Sequence, residues 1–134
     1  MTSPPATVSI TEIVFPEHAN HYGTLFAGHA LMLMAKAAFL AGRAVAQSDV
    51  VMASVADAQF ATPVPVGSVL QLDAWVSRIG RSSMTVCVQG TAERLGAQRA
   101  IVLKGLFDMV AVDAKGRPRP VPATYRDRIQ QEIA

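Results

Sequence analysis

From Thr24 to Gln47 the chain runs without a proline, an aspartate, a glutamate or an asparagine. Alanine, leucine and methionine dominate this stretch, and all three are strong helix formers. The segment predicts one long helix, with Thr24 as its N-cap. Its charged and imidazole residues, His29, Lys36 and Arg43, recur every seven positions and fall on one narrow stripe. Everything else between Leu25 and Ala46 is apolar or small. A helix apolar on most of its circumference has to be enclosed by other structure, and that requirement decides what the rest of the chain must build.

The rest reads as strands. Thr7 to Phe15 is rich in β-branched residues and ends at Pro16. After the helix, Val50 to Phe60 is a second strand. Ser68 to Ile79 alternates Leu70, Leu72, Ala74 and Val76 with Gln71, Asp73 and Ser77. Met84, Val86, Val88 and Ala92 alternate in the same way with Thr85, Gln89 and Glu93. Gln98 to Val112 is a last long strand, apolar on both sides apart from Lys104 and Asp108. The order is strand, long apolar helix, then four strands joined by short turns, which indicates an α+β domain with an antiparallel sheet curled around the helix. Residues 1–5 are expected to be disordered. Residues 118–134 are expected to form an extended, proline-rich tail with a short helix from Tyr125 to Ile133. The whole of 1–134 reads as a single domain, without internal repeat or linker.

Composition narrows the function classes. The net charge is +2, with 16% charged residues and no Lys/Arg run, so a nucleic-acid interface is not expected. The apolar region is interrupted by His29, Lys36 and Arg43, so it reads as a buried helix and not a membrane span. The first residues have neither the basic start nor the apolar stretch of a signal peptide. The single cysteine, Cys87, excludes an internal disulfide and fits a reducing, cytoplasmic setting. It alternates with core positions and reads as a structural thiol. A hydrophobic content of 51% in so short a chain favours burial between subunits.

The segment Asn20-His21-Tyr22-Gly23-Thr24-Leu25-Phe26-Ala27-Gly28, followed by Met34-Ala35 in the helix, resembles the catalytic cassette of the hotdog-fold acyl-CoA thioesterases. Three further stretches resemble that family in the same order. They are Ala53-Ser54-Val55 through Phe60-Ala61-Thr62-Pro63-Val64-Pro65-Val66-Gly67, the turn Gly80-Arg81-Ser82-Ser83, and Val110-Ala111-Val112-Asp113 through Gly116-Arg117-Pro118. The resemblance implies the hotdog fold, hydrolysis of acyl-CoA to coenzyme A and a carboxylic acid, and a homodimer assembling to a tetramer or hexamer. Coenzyme A is then part of the substrate, and no separate cofactor is implied.

The family places an aspartate where this chain has Ala35, fifteen residues after Asn20, and the two positions meet across the dimer interface. The resemblance therefore implies that Asn20 positions substrate or water, and that the Gly28 amide stabilises the oxyanion at the helix N-terminus. Losing such a donor typically costs about 10²–10³ in rate. An acid at position 35 would act as the base, a contribution typically worth about 10²–10⁴. Alanine supplies no base, so impaired hydrolysis is expected, whether the substitution is designed or natural. A second reading is a CoA or acyl-CoA binding protein without catalysis. A hotdog dehydratase, which pairs a histidine with a helix acid, finds no acid in this helix.

Ordinary readings stand beside these. Asn20 suits a turn, Gly28 close packing, and Ala35 a helix core. Arg81, Ser82 and Ser83 are either a solvated hairpin end or the group that meets the CoA phosphates, for which arginine is suited. Lys104 and Arg117 are weaker candidates for the same role. His18, His21 and His29 lie close in sequence, but their spacing matches no zinc motif, and no metal is expected. His21 is a minor candidate for assisting water or the thioester sulfur.

Overall fold

The structure, a computed structural model, describes residues 7–93, 96 and 98–122. Five strands and one long helix follow one another as β1 (Val8–Ile13), α1 (Ala27–Ala46), β2 (Asp49–Phe60), β3 (Val69–Ile79), β4 (Ser83–Glu93) and β5 (Ala100–Val112), with a single 3₁₀ turn at Pro16–His18. The strands form one antiparallel sheet in the order β1-β3-β4-β5-β2. α1 packs on one face of it. This is the α+β hotdog arrangement expected from the sequence pattern. The expected tail helix from Tyr125 to Ile133, and residues 1–5, fall outside the described residues.

The alternation in β3 and β4 does what the period of two predicts. Leu70, Leu72, Ala74, Val76, Met84, Val86 and Val88 are all buried against the helix. They meet Ala30, Leu33, Met34, Ala37, Ala38, Ala41 and Val45, the sheet-facing side of α1, in one continuous core. Small residues on that side let the helix axis lie close to the sheet. The twenty residues of α1 match a membrane span in length and hydropathy, and packing on the sheet accounts for that composition.

Two expectations need correction. The helix does not begin at Thr24. The chain stays extended through Leu25, whose N–H donates to the Val64 carbonyl at 2.7 Å, and Phe26, whose N–H donates to the His18 carbonyl at 2.9 Å. Phe26 is the N-cap residue and makes no side-chain capping bond. Thr24 stands two residues before the N-cap, and its hydroxyl is bonded to Asn20. The other end matches: Gln47 turns into the left-handed region at φ 55° and closes on the Arg43 carbonyl.

The second correction concerns enclosure. A single chain covers only one side of α1. Met32 is 55% and Phe39 38% exposed, and Ala35 between them is half-buried. β2, at the edge of the sheet, is also exposed along most of its length, including Val51, Met52 and Val55. It carries neither a lysine nor a proline, and its only charges are Asp49 and Asp57, with register shifts at Met52/Ser54 and Val55/Asp57.

Candidate active site

The loop ahead of α1 is built around Asn20. Its backbone N–H donates to the Thr24 carbonyl at 2.8 Å, and Gly23 N–H returns to the Asn20 carbonyl at 3.1 Å. Gly23 sits at φ 78°, a conformation that glycine adopts without steric penalty. The Asn20 side chain completes the turn. Its Oδ1 accepts from the N–H of Tyr22 at 2.9 Å and of Thr24 at 3.2 Å. Its Nδ2 donates to Thr24 Oγ1 at 3.0 Å. A second layer of bonds ties the loop to the segment before β3, through Val66 N–H to the Gly23 carbonyl and an isolated bridge between Thr24 and Pro65.

This loop delivers the chain to a bare helix end. The first intrahelical bond runs from Ala30 N–H to the Phe26 carbonyl. The N–H groups of Ala27, Gly28 and His29 therefore have no acceptor within the helix. No side chain caps them, and the first turn holds no acid. The partial positive charge of the helix dipole is left unneutralised there. Gly28 itself is exposed. A Cβ at that position would stand 2.6 Å from the ring of Phe26, so glycine is what allows the aromatic ring to lie over the first turn.

Ala35 lies on the same stripe of α1 as Gly28, seven residues on, which is about 10 Å along the axis. A carboxylate on residue 35 could not reach a group held at the Gly28 amide of its own chain, since general-base contact needs roughly 3 Å. Arg81, Ser82 and Ser83 are further still. They lie beyond the end of β3 that is remote from the Asn20 loop, and the eleven residues of β3 span roughly 35 Å. The turn is held by its own backbone: the Arg81 carbonyl accepts from Val121 N–H, that of Ser82 from Ala111 N–H, and that of Ser83 from Gly80 N–H. Asn20 and Gly28 thus share one end of the molecule, Ala35 stands midway along the helix, and Arg81–Ser83 mark the opposite end. Lys104, on the outer face of β5, and Arg117, in the turn after it, are not beside Gly28 either.

The histidines do not converge. His18 and His29 stack ring on ring, 4.0 Å between centroids and 5° from parallel, while His21 lies against Tyr22. Among the described residues no three His, Cys, Asp or Glu side chains gather as metal ligands would. The stacking pins the 3₁₀ turn to the first turn of α1. Partial burial, and then the neighbouring imidazole of His18, hold the His29 pKa below its usual value, with Glu12 pulling the other way. Neither this stack nor the ring of Phe26 over Gly28 was legible in the sequence. The only hint of the latter is an aromatic two residues before a glycine at a helix start.

Residues 22–97 match the family model described as the thioesterase superfamily. The chain belongs to that superfamily. Over 133 residues it is 31% identical to an uncharacterised acyl-CoA thioester hydrolase of Zymomonas mobilis, covering 98% of this chain and 89% of the relative. Among solved structures, a hexameric acyl-CoA thioesterase superposes with a TM-score of 0.85 at 29% identity, covering 98% and 97% of the two chains. An acyl-CoA hydrolase of Staphylococcus aureus, solved with butyryl-CoA and coenzyme A, superposes with a TM-score of 0.83 at 27% identity, covering 95% and 86%. That hydrolase has also been solved as variants in which an asparagine, and an aspartate fifteen positions after it, are changed to alanine. As a thioesterase-superfamily member this chain has a fold built for thioester chemistry, and its bare helix end faces the question of what completes the site.

Proposed function

We propose that this protein is an acyl-CoA thioester hydrolase whose site is completed between two copies of the chain and disabled at Ala35. The observation that carries the reading is the uncapped N-terminus of α1, presented beside the Asn20 loop with no acid of its own. A thioester carbonyl set against the amides of Ala27 and Gly28 is polarised toward its oxyanion, and the helix dipole favours the developing charge. Asn20 holds the loop that brings substrate to those amides.

Two features support a second copy. The apolar residues Met32 and Phe39 flank Ala35 on the uncovered side of α1, and β2, which packs against α1, is an exposed edge of the sheet. A twofold partner pairing along β2 would run antiparallel. It would bring its own helix midpoint, and its own Arg81–Ser83 turn, toward this chain's Asn20 end. The 10 Å and 35 Å separations within one chain are then closed across the interface, and Arg81 and the serines become available to the CoA phosphates. The hexameric relatives make further assembly of such dimers the natural expectation, in a cytoplasmic setting that suits the lone Cys87.

The fifteen-residue spacing of the altered asparagine and aspartate in the Staphylococcus aureus hydrolase supports the assignment of position 35, because the same spacing runs here from Asn20 to Ala35. With alanine there, substrate binds without a base to activate water. The second reading, a non-catalytic acyl-CoA binding protein, is favoured by this same Ala35. Thiol release by Ala35→Asp separates the two. Restored turnover supports the disabled hydrolase, and tight acyl-CoA binding with no turnover supports the binding protein.

A further inference from the structure

Beside the first turn of α1 lies a cavity of about 170 Å³. Its inner wall is made of Leu25, Ala30, Val64 and Leu103, all buried members of the core. Ala27, one of the residues whose N–H is free of intrahelical bonding, stands at its edge. Thr24 also lines it, but its hydroxyl and N–H are both engaged with Asn20. The mouth is formed by Phe60, 46% exposed, together with the exposed Thr62. The wall therefore presents hydrocarbon at one end and the uncapped helix at the other.

We infer that this cavity receives the acyl group of the thioester and limits it to about six carbons, a short linear chain or a single aromatic ring. The inference rests on the reading of the helix end as the site of the thioester carbonyl. A carbonyl oxygen held by the amides of Ala27 and Gly28 leaves the acyl tail next to the opening at Ala27. The inner wall of Leu25, Ala30, Val64 and Leu103 offers no polar side chain to an acid or hydroxyl on that tail, and the Thr62 hydroxyl stands only at the mouth. Volume decides the size class. An apolar cavity of about 150 Å³ accepts one benzene molecule, so this one fills with a group of that bulk. Longer chains must leave past Phe60 or displace buried Leu103 and Val64. Two larger cavities do not meet the helix end: one of about 480 Å³ between Arg43, Asp49, Asp113 and Arg119 lies at the other end of α1 and is polar, and one of about 290 Å³ beside Trp75, Cys87 and Lys104 is lined only by strand residues of β2, β3, β4 and β5.

The test is the chain-length profile of kcat/KM on straight-chain acyl-CoAs from acetyl to dodecanoyl, measured on Ala35→Asp. In parallel, Kd for the same series is measured by calorimetry on the chain as it stands. The expected result is a rise of about fourfold per added methylene as far as butyryl to hexanoyl, followed by a fall. In the Ala35→Asp background, Phe60→Ala opens the mouth and moves the optimum to longer chains, raising the octanoyl-to-butyryl ratio at least tenfold. Thr62→Trp narrows the mouth and moves the optimum toward acetyl. A profile that climbs steadily through dodecanoyl, or an optimum that neither substitution moves, overturns the inference while leaving the hydrolase reading intact. If Ala35→Asp hydrolyses none of the series, the hydrolase reading fails, and the Kd profile still decides the cavity. An optimum at four to six carbons that shifts with Phe60→Ala supports it, and a flat profile overturns it.

Discussion

Asn20 and Thr24 are bound to each other four ways: Asn20 N–H lies 2.8 Å from the Thr24 carbonyl, Thr24 N–H and hydroxyl both lie 3.2 Å from Asn20 Oδ1, and Asn20 Nδ2 lies 3.0 Å from Thr24 Oγ1. The carboxamide is therefore the framework of the loop ahead of α1 as well as a candidate for meeting substrate. Removing it leaves two backbone N–H groups, of Tyr22 and Thr24, without their acceptor. Asn20→Ala should cost about 0.5–1.5 kcal/mol, because the two N–H groups are exposed or only partly buried, seen as a lower urea midpoint with an unchanged m-value. An unchanged midpoint would show that the side chain has no structural part and serves substrate alone.

The ring of Phe26 and the bare Cα of Gly28 occupy the space that a methyl would need. Gly28→Ala gains helix propensity of about 1 kcal/mol but pushes the ring away. The two effects separate in a double-mutant cycle. Phe26→Ala and Gly28→Ala should couple by about 0.5–2 kcal/mol, with the alanine at 28 better tolerated once the ring is gone. Strict additivity would mean that the exposed ring simply swings clear.

His29 gives the fold a pH dependence of definite sign. Its folded pKa lies below the ordinary 6.5, through partial burial and the stacked His18. The folded state then binds a proton less readily than the unfolded one. The contribution is fully present above pH 6.5 and is lost as the pH falls through 6.5 toward the lowered folded value. Thermal stability of the parent should fall over that window more steeply than that of His29→Gln. Parallel pH profiles for the two proteins would remove His29 from the account.

The uncovered side of α1 and the edge of β2 carry the argument for a second copy. A lysine at Val51, exposed near the start of the β2 edge, should discourage strand pairing. Val51→Lys is expected to sediment as a smaller species than the parent, with its circular dichroism unchanged. If the parent is itself a monomer, or the variant assembles as the parent does, β2 is not the contact.

Much of the fold was legible because its signals are local. Leu70 through Val76 and Met84 through Val88 alternate because one face of each strand meets the helix, and a period of two shows that without any tertiary knowledge. The start of α1 was not legible. Thr24 has the chemistry of an N-cap, and only the loop geometry shows that Asn20 has already claimed its hydroxyl. How the site is completed came only from the family resemblance, not from any pattern within the chain. Asn20, Gly28 and Ala35 have the family's order in sequence, but about 10 Å of helix separates Gly28 from Ala35. In the proposed dimer a contact between chains closes that gap, and no periodicity within one chain encodes such a contact. Arg81 to Ser83 show the same thing on a larger scale.

The most direct measurement is the ratio of kcat/KM for Ala35→Asp to that of the parent on butyryl-CoA, followed by thiol release. An aspartate in mid-helix costs about 0.7 kcal/mol in propensity, so matched circular dichroism of the two proteins is sufficient control for folding. The account predicts a ratio of at least about 10², the low end of what a positioned base supplies. A ratio near one, with both proteins active, would contradict it and place the base somewhere other than position 35.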